Sequence, residues 1–414
     1  GTEFQGDANL MFDDADFSDV TFHDEADFTQ SKFNLANFKR CKFNQCATFE
    51  SAEFGNDAMF DESHFIGELN AKEARFGRDT SFKNATFEAR CEFQGVEFKG
   101  GDNTEDDDIT FESTTFADTA NFDYGIFGYT NFTECVFSEV SFTNARFNDK
   151  TEFSNSDFEH DALFTEARFR SDSNFEHTSF GEDAIFRGCE FQGGDNVKHD
   201  DLTFKNSEFG GIVDFTAAIF RLANFKRVIC EGSIKLNDAK FQRRVWFDSS
   251  QFDRAVEANE SNFKSDLSFE ESTICGSASF RGAEFRGNAN IERDDVSFDG
   301  TNFKSDLDLT SARIGFASFK DINVGGQLTV NKAEFEKDFE FDNSIVESKA
   351  ELKEINFNED VSMKNVTFED EVRFDGTEFR GGDNIVEDDL SLRGSVFKDK
   401  VHFNCAEFAY TDIS

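Results

Sequence analysis

Phenylalanine returns along this chain at every fifth or sixth residue, and that spacing restricts the possible folds more than any other feature. From Phe17 the rings fall at 22, 28, 33, 38, 43, 49, 54, 60 and 65, then at 76, 82, 87, 93 and 98. Where Phe is missing, the same register holds Ala71, Leu236, Ala258, Ile274, Leu309, Ile314, Val330, Leu352, Met363 or Leu392. Two positions earlier sits a second small or apolar side chain, as at Ala36, Cys41, Ala47, Ala52 and Ala58. The residues between are polar. A period near five fits neither an amphipathic helix at 3.6 nor a continuous strand at 2. It fits a strand of about three residues, with inward side chains two apart, followed by a short turn. The chain holds 59 Phe in 414 residues but one Trp, three Tyr and no Pro. One environment is therefore being repeated, and a Pro would remove a ladder bond that nothing else replaces.

The units "DADF", "ANF", "ATF" and "ARF" resemble those of the pentapeptide-repeat family, and the resemblance covers essentially the whole chain. It implies an all-β fold, a right-handed quadrilateral β-helix with four repeats per coil. It also implies that each Phe and its small companion point inward, so Phe38, Phe43, Phe132, Phe137, Phe225 and Phe319 belong to an axial stack. On that basis residues 1–414 form one continuous solenoid of about 17–18 coils, on the order of 85 Å long at the strand spacing of a sheet. Many steps here are six residues, which predicts a local bulge at such corners, as in Asn56-Asp57-Ala58 and Glu182-Asp183-Ala184.

Five steps are 13 residues long: Phe4 to Phe17, Phe98 to Phe111, Phe191 to Phe204, Phe285 to Phe298 and Phe379 to Leu392. Sixteen steps, or four coils, separate each from the next. This predicts a loop protruding from the same corner every four coils and super-repeats 4–97, 98–190, 191–284, 285–378 and 379–414 (partial). Successive loops would lie roughly 19 Å apart. They share a pattern, "GGDNTEDDD", "GGDNVKHDD" and "GGDNIVEDD", with an Asn four residues before an Asp pair. Asn103, Asp107, Asn196, Asp200, Asn290, Asp294, Asn384 and Asp388 are thus candidate oxygen ligands for Ca²⁺. The competing reading is structural: Gly permits the tight exit, and Asp or Asn bonds local backbone N–H groups. The second Asp of each pair stands where six-residue corners already carry Asp. Neither the EF-hand spacing nor a Gly-rich calcium-binding nonapeptide is present.

The balance of 42 Lys and Arg against 85 Asp and Glu, a net of −43, argues against nucleic-acid binding through phosphates and against anionic membranes. No apolar run approaches the roughly 20 residues that would span a bilayer. The chain opens inside a repeat at Gly1, so a targeting segment, if the protein has one, lies outside it. Cys41, Cys91, Cys135 and Cys189 take the small inward position and Cys230 a central one, while Cys46, Cys275 and Cys405 lie nearer corners. That pattern reads as buried thiols. The six histidines share no constellation, and no nucleophile motif, phosphate loop or zinc signature occurs.

The expectation is a non-enzymatic scaffolding rod that displays acidic loops. It would be a section of a longer array or a filament whose copies associate end to end or side by side, at the cell surface or outside the cell rather than in the cytoplasm. Two other classes compete. One is a DNA-mimicking protein acting on a type II topoisomerase, as some members of the resembled family do. The other is a calcium-dependent surface or adhesion module.

Overall fold

The structure is a computed structural model that describes residues 3–4, 15–100, 109–194, 201–286, 295–381 and 390–412. It divides into two compact units, Gly1–Gly211 and Ile212–Ser414. Each unit is an all-β, right-handed, four-sided parallel solenoid without helix among the described residues.

In the first unit the chain visits four ladders in turn. The first carries Lys32–Phe33, Glu53–Phe54 and Arg75–Phe76. The second carries Ala36–Asn37, Ala58–Met59 and Thr80–Ser81. The third carries Lys42–Phe43, His64–Phe65 and Thr86–Phe87, and the fourth Ala47–Thr48, Leu69–Asn70 and Cys91–Glu92. Within the unit each strand pairs in parallel with the strand four places on. The second unit repeats the scheme, with Phe220 beside Phe241 on its first ladder and Val245 beside Leu267 on its second. Strands are two residues long rather than three, because on the second and fourth ladders the Phe that follows the strand already opens the next corner.

Two kinds of corner alternate. After second- and fourth-ladder strands the chain makes a turn closed by an i+3 to i bond, as from Val20 N–H to Phe17 O at 3.1 Å and from Ala218 N–H to Phe215 O at 3.0 Å. Its third residue is left-handed: φ is 60° at Asp19, 57° at Glu62 and 58° at Ala217. This is the type II geometry, which ordinarily selects Gly or Asn there. The Phe-to-Phe step across these corners is always five residues. After first- and third-ladder strands the described corners have only a bend, and there the step is five or six. All the predicted six-residue corners are of this second kind. A turn closed on itself fixes its length, whereas an open bend does not.

The interior is built from Phe columns. Ring centroids of Phe38 and Phe60 lie 5.0 Å apart at 1°, of Phe43 and Phe65 4.6 Å at 5°, of Phe132 and Phe153 4.9 Å at 7°, and of Phe137 and Phe158 4.9 Å at 8°. In the second unit Phe225 stacks on Phe247 at 4.8 Å and Phe319 on Phe298 at 4.9 Å. All six predicted axial rings are buried. Each such ring contributes roughly 1.5–3 kcal/mol by burial. The second unit departs from the pattern at Phe339, which stands in a small-residue slot between Ala317 and Val361. Val330, Leu352 and Met363 replace Phe nearby, and the irregular layer encloses an apolar void of about 10 Å³.

Candidate functional site

The eight candidate calcium ligands Asn103, Asp107, Asn196, Asp200, Asn290, Asp294, Asn384 and Asp388 lie outside the described residues, as do the protruding loops that would carry them. The strands on either side are described. In the first unit, Glu97–Phe98 and Glu190–Phe191 belong to the first ladder and Ile109–Thr110 and Leu202–Thr203 to the second. In the second unit, Glu284–Phe285 and Glu378–Phe379 are likewise first-ladder strands, and Val296–Ser297 and Leu390–Ser391 second-ladder strands. In each unit the described strands that flank the long segments therefore lie on its first and second ladders.

The second Asp of two pairs is described, and both are buried: Asp201 is 3% exposed and Asp295 1%. Asp295 accepts the Phe316 N–H at 2.8 Å through Oδ2, and Lys337 Nζ stands 3.6 Å from the same oxygen. Burial holds its carboxyl above the usual carboxylate range, with the Phe316 bond and Lys337 acting in the opposite direction. Gly315 makes room for it, since a Cβ at 315 would fall inside the Asp295 carboxylate. Asp172, Asp161 and Asp338 play a similar part at other bends, accepting the backbone N–H of Gly194, Asp183 and Asp360 one turn later. For Asp295 the geometry is that of a structural carboxylate bonded to backbone.

Where Ser, Thr or Cys closes a type II turn, its side chain carries a device that spacing did not reveal. Ser156 Oγ donates to Phe132 O at 2.6 Å and accepts from Cys135 N–H at 3.0 Å, so it straps the turn of the coil before it. Ser250 and Ser272 do the same for Phe225 and Phe247. Cysteine occupies the same slot: the Cys41, Cys135 and Cys189 thiols point to Phe17 O, Phe111 O and Phe164 O at 2.8–2.9 Å. Cys41, Cys91, Cys135, Cys189 and Cys230 are buried and Cys405 is exposed, and none forms a disulfide. Burial pushes the Cys41 thiol up to about 11 and also raises Cys91, Cys135, Cys189 and Cys230. These thiols are poor nucleophiles.

The described histidines are spread out, each meeting a residue about one coil away. His64 contacts Glu88 at 2.6 Å, His160 contacts Glu182 at 3.4 Å, His402 contacts Glu371 at 3.2 Å, and His23 and His177 face Asn44 and Asn206. Among the described residues no three His, Cys, Asp or Glu side chains converge as a metal site would require. Many cations pair with carboxylates one turn away, among them Lys32 with Glu53 at 3.1 Å, Lys39 with Asp61 at 2.9 Å and Arg313 with Glu334 at 3.2 Å.

A family model described as pentapeptide repeats (nine copies) matches residues 28–70, 60–106, 153–199, 247–293 and 341–384. A second, described as pentapeptide repeats (eight copies), matches residues 120–159. No curated protein matches the chain by sequence. Among solved structures the chain is similar to HetL, a pentapeptide repeat protein involved in heterocyst differentiation regulation in the cyanobacterium Nostoc. Identity is 10% and the TM-score 0.14, over 77% of this chain and 86% of that one. It is also similar to QnrB1, a plasmid-mediated fluoroquinolone resistance protein, with 14% identity and a TM-score of 0.18 over 56% of this chain and 85% of that one. The family models together cover more than half of the sequence, and the chain belongs to the pentapeptide-repeat family.

Proposed function

We propose that this chain is a non-enzymatic scaffold whose working surface is its repeated exterior, and that its copies associate. The observation that supports this is the constancy of register: strand after strand pairs Cα to Cα without slip, while the outward residue at each position changes freely. Such a fold repeats geometry rather than chemistry, and solenoids use that geometry as an extended binding surface. The concentrated protein, viewed by electron microscopy, is expected to show ordered assemblies with a feature at roughly 19 Å, four strand spacings. Dispersed single particles at every concentration would count against the reading.

The surplus of carboxylates supports a second reading, a DNA-mimicking ligand of a type II topoisomerase. Inhibition of gyrase supercoiling at sub-micromolar protein would favour it over the scaffold. A calcium-dependent module is the third reading. The buried, backbone-bonded Asp295 supports structural long segments instead, so calorimetric titration with Ca²⁺ is expected to give a flat isotherm. A saturable heat would restore the metal reading for Asn103, Asp107 and their equivalents.

A further inference from the structure

In a chain of net charge −43, residues 220–246 carry seven Lys and Arg against two acidic residues. The fold of the second unit places three of these, with two cations from later turns, in a row. Arg221, Arg243 with Arg244, Lys264 and Arg286 occupy the bend between the first and second ladders on four successive turns. The backbone there is stacked through Gln242 N–H to Phe220 O at 2.8 Å, Lys264 N–H to Phe241 O at 2.9 Å and Arg286 N–H to Phe263 O at 2.9 Å. Beside the row, on the second ladder, stands the single Trp of the protein, Trp246, half-buried. Lys226 Nζ lies 5.2 Å and the Arg244 guanidinium carbon 5.6 Å from its ring centroid, within cation–π range. Part of the charge is neutralised locally: Lys226 pairs with Asp248 at 2.8 Å, Arg244 with Asp266, and Arg286 with Glu284 at 3.2 Å. Lys264 and Arg286 are exposed.

The first unit carries the opposite row. Asp118, Glu139, Glu159 and Glu182 are exposed on four successive turns, at the bend between the third and fourth ladders. The strands that follow them, Ala120–Asn121, Val140–Ser141, Ala162–Leu163 and Ala184–Ile185, pair in unbroken register. Both rows rise by one strand spacing per turn, about 4.8 Å, so cation and carboxylate positions match along their length. We propose that the cationic row of one copy, with Trp246 at its side, docks on the carboxylate row of a second copy. The two rows are different surfaces, so the contact is heterologous and each copy offers one row to each of two others. Outside residues 220–246 the chain holds 35 Lys and Arg and 83 Asp and Glu. That surplus repels a nucleic-acid phosphate backbone and supplies the anionic partner at once. The inference rests on the scaffold reading and names its contact.

Sedimentation velocity of the full chain tests it, in about 10 mM and about 1 M salt, where screening lengths are about 30 Å and 3 Å. The wild type is expected to associate with rising concentration in low salt and to dissociate in high salt, with a shift in Trp246 fluorescence that follows association. Arg243→Glu/Lys264→Glu should sediment as a monomer, as should Glu139→Lys/Glu159→Lys. An equimolar mixture of the two should associate again, because each then offers the row the other lacks. This regain separates lost docking from damage to the fold. Association of the wild type that both reversals leave intact would overturn the contact while sparing the scaffold. A wild type that stays monomeric in both salts would overturn both. A monomer whose Trp246 fluorescence responds instead to a single-stranded oligonucleotide would reassign the cationic row to a polyanion and overturn the docking proposal.

Discussion

At the scale of single residues, the interior position is the most demanding. Phe132 is fully buried and stacks on Phe111 at 4.8 Å and on Phe153 at 4.9 Å. Phe132→Ala removes a ring from the middle of a column, and chemical denaturation should record a loss of roughly 3–5 kcal/mol. Ala217 presents the reverse case. It is exposed, makes no side-chain bond worth keeping, and sits at φ 58°. Ala217→Gly relieves a conformation that costs an L-residue roughly 1–2 kcal/mol and pays back part of that in unfolded-chain entropy. Thermal denaturation should show a small net gain. Asp295 links the fold to pH. Its folded carboxyl binds its proton more tightly than in the unfolded chain, so its contribution to stability is lost as pH rises through the folded value. Asp295→Asn is therefore expected to be more stable than the wild type at neutral pH, with the difference shrinking as pH falls through the folded value and gone below the ordinary value of 3.8. A variant less stable at neutral pH would mean that the Lys337 contact outweighs burial.

At the scale of elements, the corner decides what the chain tolerates. Type II corners hold five residues everywhere, and where Ser or Thr closes the turn, as at Ser156, a strap ties it to its neighbour. One Gly inserted between Thr133 and Glu134 should break that turn and lower the melting temperature sharply. The same insertion between Asn148 and Asp149, in an open bend, should be nearly silent. Much of this was legible in advance. The family resemblance implied the four-sided plan, and Phe spacing gave the inward rings and the placement of the cysteines, because side-chain period follows backbone geometry directly. The left-handed turn at every second corner was not legible: those positions are filled by Asp19, Gln30, Arg40, Ser51 and Glu62 rather than by Gly. With backbone bonds to both neighbouring coils fixing the conformation, residue preference no longer reports it. Phe339 in a small slot was equally invisible, since its compensation by Val330 and Met363 is spatial.

At the scale of the whole molecule, function is less legible than fold. An enzyme concentrates chemistry at one place, where a motif can be read, whereas the working feature proposed for this chain is charge arranged along an edge. The cationic row around Trp246 is spread over 66 residues of sequence, from Arg221 to Arg286, and becomes a row only when the turns are stacked. Every role assigned to the surface depends on coils stacked in register around inward Phe columns. Residue-resolved hydrogen exchange tests that most directly. The amides of Ala36, Phe38, Phe132 and Phe153 donate to the next coil and are expected to exchange only as slowly as their unit unfolds. Exchange of these amides at the rates of an unstructured peptide would contradict the solenoid and every role built on its surface.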